Sequence, residues 1–288
     1  MTQSESQPSN LSFLNLENFN WQQCLTESLF FLRNSWKQNW LGLEKVVQLT
    51  QAFLESQNAY SNQKSADAII MLDIAAHVAK LIEQEALQEG AKVENPYHNR
   101  LHFSQVMASV AVQLAILKNE TPDINNEWSA CLLLCAVAHD YKHPGAVNQQ
   151  AQEIEFQSYQ ALIPILVNFG LQQKWQDVIK KVILNTDVPT SQIAHSIVKD
   201  KPFEWNVDWA SVLLIESDNM ASSHPMLGSE LGQELEKEWL LLDSPPTFKV
   251  STKEGRTRYL KSLIFSTPSS HILGLPSLVK KELKALAT

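Results

Sequence analysis

The segment 126–140, NEWSACLLLCAVAHD, constrains the fold of this chain more than any other stretch. It is mostly apolar along its whole length and ends in the adjacent pair His139 and Asp140. A helix with so little polar surface must be covered on most sides, so this segment is predicted to be a central helix. The His-Pro-Gly triplet at residues 143–145 stops it.

The rest of the sequence favours helices as well. No stretch alternates Val, Ile and Thr as a half-buried strand would, and only 8 of the 288 residues are glycine. We therefore expect an all-α fold, with a single compact multi-helix domain over residues 60–288. A polar segment and a helical extension precede it at residues 1–59. The predicted helices cover residues 21–36, 41–56, 64–89, 96–117, 126–140, 147–169, 174–186, 206–218, 227–242, 256–266 and 276–286.

Charge and composition limit the classes of partner. The net charge of −8 and the pI near 5.5 argue against nucleic-acid polymers, although small anions remain open because a bound metal reverses the local field. Three cysteines are too few for a disulfide framework and indicate reduced thiols. The N-terminal residues lack a secretory pattern, and we expect no apolar run long enough for a membrane helix. A cytoplasmic location is the expectation.

Histidines and carboxylates mark the ends of three predicted helices. Burying Asp140 beside His139 after an apolar helix is costly unless the charge is paired or bound to a metal. His98 and His102 lie four residues apart behind Asn95 and Pro96, which are suited to cap and start a helix. That helix would place both histidines on one face, one turn apart. Such a pair alone is more often surface or core than metal ligand.

A second apolar helix, WASVLLIESDNM, ends in acidic residues, Glu216 and Asp218. Together with the histidines and Asp140, these groups form the start of a mixed nitrogen and oxygen site suited to Zn²⁺, Mn²⁺, Fe²⁺ or Mg²⁺. The alternative is that these side chains simply face solvent at helix ends. His195, His224 and His271 lie in polar segments and are predicted to be surface loop residues.

Four motifs, in this order, resemble the catalytic domain of the class I cyclic nucleotide phosphodiesterases. They are NPYHNRLH, AVAHDYKHPG with Asn148 shortly after it, ILNTDV and LLIESDN. This family is a branch of the HD-type metal-dependent phosphohydrolases, and the resemblance covers roughly residues 60 to 285. The first two motifs are specific in order and spacing, whereas the later two are looser.

The resemblance implies a role for each matching residue. His102, His139, Asp140 and Asp218 match the metal ligands, with Asp140 bridging two ions. The tighter ion would be Zn²⁺-like (Fe²⁺ or Mn²⁺ being alternatives), and the second would be Mg²⁺ or Mn²⁺ held largely by water. His98 matches the general acid. Three further residues match positions that line the pocket or support the ligands: Tyr97, His143 and Thr186.

The sequence departs from the family where the base of the nucleotide would be recognised. The stretch KEGRTRYLKSLIFS contains no glutamine, and Arg256 or Arg258 falls near the place expected for it. An arginine there could bind a second anionic group of a different diester, or it could lie on a helix surface. Ala221 replaces the asparagine expected after the last acidic ligand. The reaction type is therefore better defined than the substrate.

The expected function is hydrolysis of a small phosphodiester such as a 3′,5′-cyclic nucleotide. Two metal ions would activate a bridging hydroxide for attack on phosphorus, and His98 would protonate the departing alkoxide. One alternative is an HD-type nucleotide phosphomonoesterase, which the same metals support. Another is a catalytically degenerate homologue that senses a ligand; the retained acid and all four ligands argue against it.

Overall fold

Helices make up all the regular secondary structure of the described residues. The computed structural model describes residues 20–59, 64–88, 94–120, 126–243, 246 and 249–288, and within these ranges it contains no strand. The predicted all-α fold is thereby confirmed. The helices are α1 (Trp21–Gln38), α2 (Leu43–Ser56), α3 (Ala66–Leu87), α4 (Arg100–Glu120), α5 (Asn126–Ala138), α6 (Glu153–Asn168), α7 (Gln173–Leu184), α8 (Val188–Val198), α9 (Val207–Ser223), α10 (Gly228–Trp239), α11 (Lys253–Ser262), α12 (Pro268–Ile272) and α13 (Leu275–Leu286).

Two helices, α4 and α5, lie at the centre of the fold. Helix α4 is buried from Arg100 to Leu117 and packs against α1, α2, α5 and α9. Helix α5 is covered by α3 and α4, and nearly all its residues are buried. The predicted central position of the segment at 126–138 is confirmed. Its thiols Cys131 and Cys135 are buried and free.

One expectation about hydropathy needs correction. Helix α4 contains an 18-residue window that is apolar enough to cross a membrane, although no such run was expected from the sequence. Other helices cover almost the whole of that window. Its apolar surface is therefore engaged in packing and faces protein rather than lipid.

The first turn of α4 begins later than predicted. The helix starts at Arg100, not at Pro96, and residues 96–99 form bends. The reason is Asn99, whose Oδ1 accepts hydrogen bonds from the backbone N–H of Leu101 at 2.9 Å and of His102 at 3.2 Å. A side-chain oxygen in this position satisfies the free donors of a helix start, so Asn99 and not Asn95 is the cap. His98 therefore precedes the helix that carries His102.

The N-terminal helices pack directly on the central ones. Leu32 of α1 and Leu43, Val46, Val47 and Leu54 of α2 belong to the same buried apolar cluster as α3, α4 and α5. The domain boundary expected between residues 59 and 60 stays a prediction. The polar segment at residues 1–18 lies outside the described residues.

A buried carboxylate joins α2, α3 and α4. Glu83 accepts hydrogen bonds from the indole Nε1 of Trp40 at 2.7 Å and from the backbone N–H of Leu43, and it forms an ion pair with Arg100. Arg100 also binds Glu94 through its Nε and Nη2. The guanidinium is mostly buried, so its charge depends on these two carboxylates.

We expect Glu83→Ala to lower the free energy of unfolding by about 3 kcal/mol, because it leaves a buried guanidinium and two N–H donors without their acceptor. Urea denaturation measures this loss. The control is Glu55→Ala, which removes a carboxylate that pairs with Lys64 at the surface and should cost less than about 1 kcal/mol. Equal losses in both variants would contradict the structural role of Glu83.

Two helices lie in segments that were predicted to be loops. Helix α8 places His195 in the interior, where its Nδ1 lies 2.8 Å from the hydroxyl of Ser266. The surface position predicted for His195 is wrong. Helix α12 lies within residues 266–277, and its His271 is exposed as expected. His224, which directly follows α9, is half-buried and not at the surface. The hydroxyl groups in and just before α12 turn inward to a polar network; they belong to Ser266, Thr267, Ser269 and Ser270.

Glu216 of α9 is the centre of that network. It is almost completely buried and accepts hydrogen bonds from the backbone N–H groups of Ser266 and Thr267 and from the hydroxyls of Thr267 and Ser270. Burial raises the pKa of Glu216 to about 7 despite these donors. These hydrogen bonds hold α12 against the middle of α9.

The stability of the protein should fall as the pH rises through the range in which Glu216 ionises. Since the folded pKa exceeds the unfolded value, the folded state binds the extra proton between about pH 4.5 and 7, and stability is lost over that window. The loss is on the order of 3 kcal/mol. Glu216→Gln mimics the protonated group and should flatten the profile, as measured by urea denaturation at pH 5 and pH 8. An unchanged pH dependence in this variant would contradict the assignment.

Candidate metal centre

Four predicted ligand residues converge where three central helices meet. His102 lies in the first turn of α4, and His139 and Asp140 follow directly on the last residue of α5. Asp218 lies within α9, which continues to Ser223 and does not end at the acidic residues as expected. The apolar faces of α4, α5 and α9 pack against one another, so their ligand-bearing ends meet.

The distances between these side chains are those of groups that share an ion. His102 Nε2 lies 3.2 Å from His139 Nε2, 3.1 Å from Asp218 Oδ1 and 3.3 Å from Asp140 Oδ2. His139 Nε2 lies 3.1 Å from Asp140 Oδ2 and 3.6 Å from Asp218 Oδ1. Neighbouring ligands about 2.1 Å from a common ion are separated by about 3.0 Å in octahedral and 3.4 Å in tetrahedral geometry. His102, His139 and Asp218 form a group that could hold a metal ion, and Asp140 lies beside it.

The orientation of His139 supports that conclusion. Its Nδ1 lies 3.1 Å from the carbonyl oxygen of Ala136, which can only accept, so Nδ1 carries the proton. In the neutral ring, the lone pair of Nε2 then points at Asp140 and Asp218. A lone pair facing two carboxylates is repulsive unless a cation lies between them, and a carbonyl behind the ring is the usual support of a metal-binding histidine.

The negative charges of the two carboxylates must be balanced by positive charge at the centre of the cluster. Burial lowers the pKa of His139, but the carboxylates of Asp140 and Asp218 outweigh it and hold that pKa well above its usual value. Burial likewise raises the pKa of Asp140, but His139 and His102 bring it well below its usual range. Both carboxylates are therefore ionised at neutral pH. Either protons on the histidines or a metal ion must balance them.

His98 lies beside the cluster without belonging to it. Its Nε2 is 3.8 Å from Asp140 Oδ2, while its Nδ1 is bound by Oε1 of Glu238. The other oxygen of Glu238 accepts the backbone N–H groups of Tyr97 at 2.8 Å and of His98 at 2.9 Å. Burial raises the pKa of Glu238, but the hydrogen bond from His98 outweighs it and lowers the pKa. Glu238 thus fixes the ring, with Nε2 toward the metal ligands.

His143 stacks on His98. The ring centroids are 3.7 Å apart, and the planes differ by 23°. The Nδ1 of His143 accepts the backbone N–H of Gly145 at 3.0 Å, and burial, followed by the neighbouring charge of His98, lowers the pKa of His143 to about 3. His143 is therefore neutral. His98, His143 and Glu238 form a second group whose ligand atoms lie within 4.8 Å of one another.

A group of acidic side chains lies around Asn148. Its Nδ2 donates to Oε2 of Glu155 and to Oδ1 of Asp187, each at 2.9 Å. Burial, and then the charges of Asp187 and Asp140, raise the pKa of Glu155 to about 6. Thr186 is adjacent and donates its hydroxyl to the carbonyl of Ile183. The negative charge of Asp140 therefore acts on Glu155 and makes its ionisation less favourable.

Tyr97 closes another side of the cluster. Its ring centroid is 5.0 Å from that of His102, and its hydroxyl is 2.7 Å from the hydroxyl of Ser222. Burial, followed by the charge of Asp218, raises the pKa of the Tyr97 hydroxyl well above its usual value. The phenol is neutral and is held by α9.

The two arginines considered for substrate recognition lie elsewhere. The guanidinium of Arg256 is bound by both carboxylate oxygens of Glu282 and donates to the carbonyls of Ser222 and Ser223 at the end of α9. Arg256 therefore supports the end of α9 instead of offering a free charge to a substrate. Arg258 is exposed on α11, beside Lys253 and Lys261 on a shallow surface depression.

Three carboxylates near the site were not singled out from the sequence. Asp187 directly follows Thr186, so its position in the ILNTDV motif was a usable signal. Glu155 lies in a polar helical turn, and Glu238 is one of several acidic residues on α10. Only the three-dimensional packing distinguishes Glu238 from the other acidic residues of α10, which are partly exposed, because its side chain is almost fully buried beside His98.

Comparison with known proteins does not assign a family or a function to this cluster. No protein-family model matches the chain, and no curated protein is found to be similar to it. What the cluster does chemically therefore follows from its own residues: two imidazoles and two carboxylates that can hold a metal, with a third imidazole oriented beside them.

Proposed function

We propose that this protein is a binuclear-metal phosphodiesterase that hydrolyses a small phosphodiester such as a 3′,5′-cyclic nucleotide. The observation that carries the proposal is the convergence of His102, His139, Asp140 and Asp218 beside His98. The same residues carry the resemblance to the class I phosphodiesterases. An imidazole directed at residues that could hold metal ions suits diester hydrolysis, because it would place a proton donor beside the ions that activate water.

The four ligands would hold the tighter ion, for which the mixed nitrogen and oxygen donors suit Zn²⁺, Fe²⁺ or Mn²⁺. Asp140 would share its carboxylate with a second ion, Mg²⁺ or Mn²⁺. Glu155 and Asp187 both bind Asn148, and the charge of Asp140 helps to raise the pKa of Glu155, so these carboxylates would accept hydrogen bonds from water around that ion. When bound, such a pair of ions activates water and neutralises the charge of the phosphoryl oxygens.

His98 would supply the proton that the departing alkoxide needs. Alkoxides are poor leaving groups, and an imidazolium can protonate them near neutral pH. The carboxylate of Glu238 binds Nδ1 and so fixes the orientation of the ring, leaving Nε2 directed toward the cluster. Stacking on the neutral ring of His143 limits rotation of His98.

Base selectivity is expected to be weak. If cyclic AMP and cyclic GMP are substrates, their kcat/KM values should differ by less than about 100-fold, because no glutamine occurs in the stretch 253–266. Arg256 cannot replace it, since Glu282 binds its guanidinium. Steady-state kinetics with both nucleotides provides the measurement. A stronger preference would mean that other residues recognise the base.

Activity assays distinguish this function from the alternatives. The purified protein is supplied with Mn²⁺ or treated with a chelator, and then tested on cyclic and linear phosphodiesters and on nucleoside monophosphates. Metal-dependent hydrolysis of a diester supports the proposal. Hydrolysis of monoesters alone would indicate an HD-type phosphomonoesterase, and metal binding without hydrolysis of either class would indicate a ligand-sensing protein.

A further inference from the structure

The segment that forms α11, α12 and α13 carries a charge opposite to that of the rest of the chain. Residues 249–288 contain eight lysines and arginines but two acidic residues, which gives a net charge of +6. The preceding 248 residues have a net charge of −14. Such a separation of charge within one chain indicates a surface for an anionic partner.

Most of these cations lie at the surface of two helices, α11 and α13, that pack against each other. The three on α11 line one shallow depression of about 450 Å³, and the three on α13 fall within little more than one helical turn. All six are exposed, and Glu254 is the one exposed carboxylate on these two helices, both of which the structure describes in full. Together the six are called the basic surface: Lys253, Arg258, Lys261, Lys280, Lys281 and Lys284.

The inner side of α11 is fixed to the rest of the protein. Arg256 is bound by both carboxylate oxygens of Glu282 on α13, so the charges of this pair cancel. The hydroxyl of Tyr259 donates to Oδ1 of Asn219 at 3.0 Å, next to the candidate ligand Asp218. Helix α11 therefore binds α9 beside the metal centre on one side and presents lysines to solvent on another.

The residue types of this segment favour a lipid surface over a nucleic acid. Five of the six cations are lysines, which are flexible point charges, whereas bidentate recognition of bases relies on the fork of arginine. Tyr259 and Phe265, the aromatic residues of the segment, are partly buried, which limits stacking on bases. Ile264 and Ile272 are each 43% exposed, and Ile264 lies within about 11 Å of Lys261 along the chain. Lysines beside exposed apolar side chains suit the surface of a bilayer.

We propose that the basic surface binds reversibly to membranes that contain anionic lipids. Each lysine close to such a membrane strengthens binding roughly fivefold, so a group of this size gives a substantial affinity. The acidic remainder of the chain is repelled by the same lipids, which turns α11 and α13 toward the bilayer. Beyond about 8 Å this repulsion is screened at physiological ionic strength. The binding is peripheral and needs no helix that spans the membrane.

Co-sedimentation with lipid vesicles tests the proposal. The full-length protein is mixed with vesicles of phosphatidylcholine alone or with about 30% phosphatidylserine. EDTA is present, so that no metal ion can bridge carboxylates of the protein to the lipid. At about 0.1 M salt, binding to the phosphatidylserine vesicles should be at least about tenfold tighter than to phosphatidylcholine, and about 0.5 M salt should abolish the difference.

Two sets of substitutions locate the binding. On α13, Lys280→Gln, Lys281→Gln and Lys284→Gln in one protein should weaken binding to the phosphatidylserine vesicles roughly 100-fold. On α11, Lys253→Gln combined with Lys261→Gln should weaken it roughly 25-fold. All five side chains are exposed, so both proteins should fold, which circular dichroism verifies.

The matched control makes the same change of charge on other elements. Lys45→Gln, Lys80→Gln and Lys199→Gln replace three exposed lysines of α2, of α3 and of the residue that follows α8. Binding of this protein to the phosphatidylserine vesicles should stay within about threefold of the wild-type value.

Three results would overturn the proposal. The first is equal binding to both kinds of vesicle at the lower salt concentration. The second is a preference for phosphatidylserine that both sets of substitutions leave unchanged, which would place the contact elsewhere. The third is tighter binding to duplex DNA or to polyglutamate than to the vesicles at the same ionic strength, which would make a nucleic acid or an acidic protein the partner. None of these results bears on the proposed phosphodiesterase activity, because the assay contains no free metal and measures no turnover.

Discussion

Asp140→Ala is expected to remove bound divalent metal and hydrolytic activity together, with turnover falling below about 10⁻³ of the wild-type value. Asp140 contacts both His102 and His139 and is the one ligand that would serve two ions. Its removal leaves two buried imidazoles with a single carboxylate, that of Asp218. Metal content is measured by mass spectrometry after dialysis, and turnover is measured with saturating Mn²⁺.

The control for this experiment is Asp208→Ala in the first turn of α9. Asp208 forms a surface ion pair with Lys181, so its loss removes one negative charge from the same helix without touching the cluster. Metal content and activity should stay near wild type. Full metal content and normal turnover in Asp140→Ala would make the site assignment wrong.

His98→Ala should slow turnover by roughly 10²- to 10⁴-fold while leaving metal content near wild type, because His98 is proposed to donate a proton and not to bind the metal. The loss should shrink to less than about tenfold for a nitrophenyl diester, whose leaving group departs without a proton. His102→Ala, in contrast, should lose metal and activity for both substrates. Steady-state kinetics with both diesters and metal analysis of both variants provide the comparison.

The role of Glu238 can be separated from that of His98 in the same assay. Glu238→Gln keeps an acceptor for the two backbone N–H groups but removes the charge beside His98 Nδ1. A defect confined to the alkoxide-leaving substrate supports the positioning role. Equal losses for both substrates in His98→Ala, or loss of metal, would instead make His98 a ligand or a structural residue.

The central part of the fold could be predicted because its sequence permits few alternatives. The segment at 126–138 has almost no polar surface, so only a buried helix fits it, and a charged Asp140 at its end requires compensation. His139 and Asp140 were thereby predicted as metal ligands, whereas His102 followed only from the resemblance to the phosphodiesterase family. The acidic end of the apolar segment WASVLLIESDNM, together with the resemblance, predicted Asp218 as a further ligand, although α9 extends five residues beyond it.

The start of α4 could not be predicted, because two asparagines compete to cap it. Asn95 and Asn99 both precede suitable residues, and Pro96 favoured the earlier start. In the fold, the side chain of Asn95 donates instead to the carbonyl of His143, and Asn99 caps the helix. His98 and His102 consequently meet through tertiary packing rather than through the spacing of a shared helix.

The role of Glu238 and the position of α12 could not be predicted from the sequence, for a related reason. A glutamate on an amphipathic helix and a serine-rich segment both look exposed in sequence, since their partners lie far along the chain. Glu238 binds His98, 140 residues away, and Thr267 binds Gln113 and Glu216 across the core. Periodicity reports which face of a helix is apolar, but it does not report which polar residue a distant element will bury.

The most direct test of the account is the metal content of the wild-type protein. After purification without added metal and dialysis against metal-free buffer, mass spectrometry should find at least one transition metal per chain. Titration with Mn²⁺ should then restore a second ion together with diester hydrolysis. A protein that retains no metal, binds none on titration and still folds normally would contradict the metal centre and, with it, the proposed phosphodiesterase.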